Sequence, residues 1–118
     1  MKSLLKIVLL LAAFNCTNVT AESTVEKEFK SVASSLKGKI FMLYNKALKA
    51  DPNISGKTIF EIKINDQGKV ESCKPVKSQY KNASLETGIC DAFKSKSFAS
   101  LSVLPYSAMH EISLYSTN

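Results

Sequence analysis

The sequence predicts an α+β domain: one long N-terminal helix, then a β-β-α-β unit whose three strands form an antiparallel sheet packed by helices. Three patterns lead to this class. Apolar residues recur three and four apart from Val25 to Leu48, the period of one helical face. Phe60, Ile62 and Ile64 then alternate with Glu61 and Lys63, the period of a strand. His110, Ile112 and Leu114 alternate in the same way with Glu111, Ser113 and Tyr115 near the end of the chain.

Residues 1–21 read as a cleavable export signal. Lys2 and Lys6 form a positive start, Ile7 to Phe14 an apolar run, and Val19 and Ala21 supply the small residues for cleavage after Ala21. The run is shorter than the ~20 residues of a membrane span, so no stable membrane anchor is expected. Cys16 offers a rival reading as a lipidation site, against which Asn15 stands where a small residue is needed. Removing 21 of the 118 residues leaves 97, enough for one domain with one modest core.

The helical stripe comprises Val25, Phe29, Val32, Ala33, Leu36, Ile40, Leu43, Tyr44, Ala47 and Leu48, so residues 22–50 are read as one helix. Gly38 inside it is a place for a kink or break. Asp51 and Pro52 end it, because proline disfavours helix in the residue before it. The α+β domain proper is placed at 51–118. Lys57 to Asn65 reads as its first strand. Asn65, Asp66, Gln67 and Gly68 form a turn, and Lys69 to about Lys77 returns as the second strand of a hairpin. Val70, Cys73 and Val76 are three apart, which demands a bulge or an early end. Pro75 is compatible with either. Ser84 is the expected cap of a second helix carrying Leu85, Ile89, Ala92 and Phe93 on one face, with Phe98 anchoring its end. Phe29, Phe41, Tyr44, Phe60, Phe93 and Phe98 are expected in the core, and Tyr106 and Tyr115 at the surface.

The chain has three cysteines, of which Cys73 and Cys90 remain after loss of the signal. An even pair in an exported chain is expected to be bridged. The 16 basic residues are all lysine, and losing Lys2 and Lys6 leaves 14 against 10 acids, a formal charge of +4. Without arginine there is no bidentate reader of phosphate or guanine, and nucleic acid is not an expected partner. No cofactor is implied. His110 is the single histidine, and neither a catalytic cluster nor a set of closely spaced metal ligands can be assembled around it. Two N-glycosylation patterns, at Asn53 and Asn82, both fall in expected loops.

The stretch LKADPNISGKTIFEIKINDQGKVESCKPVKS, with LETGICDAFKSKSF and the closing MHEISLY, resembles the TonB C-terminal domain superfamily, especially its AgmX/PglI-type branch. The resemblance spans roughly Ala47 to Tyr115. It rests on Pro52 before the first strand, Gly56 opening it, Gly68 and Val70 at the hairpin, Ser78 after the second strand, and Phe98 closing the helix. It departs at Ser95, Lys96 and Ser97, where the family commonly carries an aromatic or basic-aromatic pair. The family's energy transducers also carry a membrane anchor and a Pro-rich spacer, and neither is expected here.

The resemblance implies a stand-alone, non-enzymatic module of the periplasm, or a secreted one. It implies that another envelope or outer-membrane protein is engaged by strand pairing along His110, Glu111, Ile112, Ser113, Leu114 and Tyr115. A homodimer formed by strand exchange is the other way to fill such an edge. An alternative of another class is a secreted inhibitor or immunity-type protein that blocks an enzyme through the loop Lys77 to Ser84. A third is a small hydrolase or redox protein using Cys73 or Cys90.

Overall fold

A computed structural model describes residues 23–115. The expected signal peptide, its cleavage point after Ala21 and Cys16 all lie outside the described residues. The elements are α1 (Thr24–Ser34), α2 (Lys37–Ala50), β1 (Gly56–Ile64), β2 (Val70–Ser78), α3 (Ala83–Lys94) and β3 (Tyr106–Leu114). The class is α+β, with a three-stranded antiparallel sheet in the order β2-β1-β3.

The single long helix is corrected to two. The chain leaves helix at Ser35–Leu36, not at Gly38, which lies within α2. The serines explain the position. Ser34 Oγ donates to the Ser31 carbonyl at 2.8 Å and Ser35 Oγ to the Val32 carbonyl at 2.6 Å, so hydroxyls at the end of α1 compete for carbonyls the helix would use. Leu36, at the break, is buried. α1 begins cleanly at Ser23, whose hydroxyl accepts from the Glu26 amide. The second correction concerns α3: its cap is Asn82, whose side chain accepts from Leu85 N at 2.9 Å, and Ser84 lies inside the first turn.

β2 carries two irregularities. Its partner residues step from Lys77 to Pro75 opposite Ile59 and Phe60, and from Ser72 to Val70 opposite Lys63 and Ile64. Val76 and Glu71 are the skipped residues, which reconciles the three-residue apolar spacing with a strand. β3, by contrast, pairs with β1 in unbroken register from Gly56↔Leu114 to Ile64↔Tyr106.

One face of the sheet holds the core. Thr58, Phe60, Ile62 and Ile64 of β1 are fully or almost fully buried there, with Ala108, Ile112 and Leu114 of β3 and Leu85, Ile89 and Phe93 of α3. Phe29 from α1 joins them, its ring 5.3 Å from Phe98 and 6.4 Å from Phe93. Tyr44 of α2 donates its hydroxyl to the Ile54 carbonyl at 2.8 Å, fastening the helical layer to the start of β1. The other face is polar: Glu61 and Lys74 meet at 3.5 Å across paired strands. At the hairpin, Gly68 has φ +82°, and its carbonyl accepts from Phe98 N at 2.8 Å. A Cβ there would stand 2.4 Å from the Ala99 backbone. No described helix is long and apolar enough to cross a membrane.

Candidate functional site: a groove beside the free edge of β3

In the order β2-β1-β3 both outer strands have an edge with no strand partner among the described residues. The β2 edge is interrupted by Pro75 and by two breaks in register, and it carries the exposed lysines 74 and 77. Such features block the addition of another strand. β3 has none of them across its nine residues YSAMHEISL. Pro105 lies immediately before it, outside the strand.

Beside this edge runs a groove of about 580 Å³. One wall is His110, Glu111, Ile112, Ser113 and Leu114; the other is Lys30, Ala33 and Ser34 of α1 with Lys37, Ile40 and Phe41 of α2. The helical residues recur three and four apart, so a single helical face, continued across the break, looks along the strand. Ala33, Ile40, Ile112 and Leu114 are buried, whereas Phe41 is 58% exposed. Phe41 is thus not a core residue, correcting the expectation; it sits one position beyond Ile40, about 100° round the helix from the core stripe.

Five of the six edge residues named from sequence therefore line one groove. Tyr115 lies one residue past the strand and is exposed. Tyr106, expected at the surface, is half-buried and packs its ring 5.9 Å from Phe29.

His110 is held edge-on between Phe29 and Phe93, at 5.4 and 5.8 Å between ring centres. Burial lowers its proton affinity, and the nearby Lys30 ammonium lowers it further, so the imidazole is neutral near pH 7.

Tyr80 crosses under the sheet and donates its hydroxyl to the Ile112 carbonyl at 2.5 Å. Burial raises its pKa strongly, keeping that donor protonated. Tyr80 also fixes the segment proposed for enzyme inhibition. Lys77 and Ser78 belong to β2, Ser78 donates its hydroxyl to Glu86, and Tyr80 is buried. Residues 77–84 are therefore anchored at several points. At the entrance to β3, Glu28 of α1 accepts from both the amide and the hydroxyl of Ser102 at 2.8 Å, and the backbone bond is the larger reason its pKa lies low.

Cys73 and Cys90 form a disulfide with Cα atoms 5.6 Å apart, joining β2 to α3. They line a second, smaller hollow of about 220 Å³ with Pro75, Glu86, Thr87, Asp91 and Lys94. Among the described residues no three His, Cys, Asp or Glu side chains converge as metal ligands.

No family model, curated protein or solved structure matches this chain. The groove must be interpreted from its own geometry. Its strand wall was legible in the alternation of 110–114. Its helical wall was not, because Lys30, Ser34 and Lys37 lie some 70 residues from β3 in sequence; the one available signal was Phe41, an aromatic residue standing off the apolar stripe.

Proposed function

We propose that this chain is a non-enzymatic binding module of the bacterial envelope, periplasmic or secreted, that takes an extended segment of a partner protein along the free edge of β3. The observation that carries the reading is the contrast between the two edges. β2 is broken and charged, whereas β3 is regular and flanked by a groove of about 580 Å³. An added strand gains main-chain hydrogen bonds from the edge and specificity from alternate side chains set against the groove wall. The likeness of the motifs to TonB C-terminal domains agrees with this use of the last strand. The disulfide agrees with an exported protein.

Site-specific photo-crosslinking in cells tests the proposal. A photoreactive side chain placed at Ser113 is expected to trap a discrete partner, and one placed at Lys74 on the β2 edge is expected to trap none. Equal trapping from both edges, or trapping from Lys74 alone, would sink it. A second copy of the chain trapped at Ser113 would identify the occupant as a homodimer formed by strand exchange.

A further inference from the structure

Charge and apolar surface are segregated along the groove. Phe29 sets its ring against His110, and the adjacent Lys30 acts electrostatically on the same imidazole; Lys30 therefore stands at the His110 end. Tyr44 is bonded to Ile54, two residues before Gly56, and Gly56 pairs with Leu114. The α2 residues Ile40 and Phe41 accordingly stand toward Leu114, with Lys37 between the two ends. Lys30 is ion-paired with Glu26 at 3.9 Å, so the exposed Lys37 is the cation the groove offers, and as β3 runs from His110 to Leu114 the helical wall passes from lysine to apolar residues.

Every pairing in the sheet is antiparallel, and antiparallel pairs are the commoner kind. A strand added antiparallel to β3 enters at Leu114 and leaves at His110, so it meets the apolar wall first and the lysines afterwards. Phe41 and Lys37 are four residues apart on one helix, about 6 Å of axial rise. Two residues of strand advance about 6.6 Å and return the side chain to the same face. The two repeats match.

Resting on the strand-addition reading above, we propose that the groove selects an extended partner segment in which an apolar residue is followed two positions later by Asp or Glu. The apolar side chain covers Phe41 and the carboxylate meets the Lys37 ammonium. Glu111 does not oppose this arrangement. It lines the strand wall of the groove, but it alternates with Ile112 and sets its carboxylate toward the open face of the sheet, so it disfavours an acid chiefly at positions facing that side. A lipid chain could cover Phe41 but would leave the amides and carbonyls of the edge without partners; a peptide satisfies both.

Selection from a displayed library of random decapeptides on the exported chain tests this. Binders are expected to carry an apolar residue and, two positions on, Asp or Glu. Against Lys37→Glu the original binders are expected to weaken about tenfold, since like charges then face each other. Fresh selection on that variant is expected to place Lys or Arg at the acidic position. The variant should fold, because Lys37 is exposed and is the first residue of α2, where a negative charge suits the helix dipole.

Binders that shift β3 amides but lack the acid, or that keep it on Lys37→Glu, would overturn the charge rule and leave strand addition standing. A library that yields no binders, or only binders that shift amides elsewhere, would overturn both.

Discussion

Reducing the Cys73–Cys90 bridge isolates one contribution to stability with little else disturbed. The two cysteines are 17 residues apart in sequence. In the chain-entropy model, closing a loop of that length removes roughly 10 cal/mol/K from the unfolded ensemble, or about 3 kcal/mol at 25 °C. Cys90 is 6% exposed, so a reduced thiol stays packed where it was, and the loss should come almost wholly from the freed unfolded chain. A domain of this size has only about 5–10 kcal/mol in hand, and each kcal/mol moves its melting temperature by about 4–8 °C. Urea unfolding of the oxidised chain and of the chain held in reductant should therefore differ by about 3 kcal/mol, with a melting temperature lower by about 12–24 °C in the reduced form. A difference below about 1 kcal/mol would refute the reasoning, because it would mean that the bridge does not constrain the unfolded chain.

Two further outcomes follow from the same geometry. Gly68→Ala should destabilise the fold by about 3 kcal/mol or more, because a left-handed backbone costs a non-glycine residue about 1–2 kcal/mol and the new methyl would stand 2.4 Å from the Ala99 backbone; an unchanged urea midpoint would contradict it. His110 gives a pH dependence. Its folded pKa lies below the ordinary imidazole value of about 6.5, so as pH falls through about 6.5 the unfolded chain takes up a proton that the folded chain refuses. Stability should decline over that window and level off below the folded pKa. His110→Gln should flatten the profile there, and the single imidazole signal in NMR should titrate below 6.5; a titration above it would refute the assignment.

How much could be read from sequence differed by element. β1 was legible because its alternation serves one buried face and one polar face. β2 was legible only as a defect, since bulges that skip Glu71 and Val76 destroy alternation while preserving the strand. The helix break was hidden because Leu36 keeps its place in the apolar stripe on both sides of Ser35; the competing hydroxyl bonds, not hydrophobic period, decide it. β3 was seen only from His110, because Ala108 is too small to register as an apolar signal and the half-buried Tyr106 is separated by it from the run of alternating residues. The groove depends on bringing residues 30–41 beside residues 110–114, which no local pattern encodes. The bridge, by contrast, needed only the parity of the cysteines and the expectation of export.

Residue-resolved amide exchange of the chain, alone and with the partner trapped through Ser113, tests strand addition most directly. Between residues 107 and 115, the amides on the free edge of β3 should exchange quickly in the unbound chain and become protected on binding, in alternation along the strand, while β2 is unchanged. Amides of β3 that are already protected alone and do not change with the partner bound would contradict it.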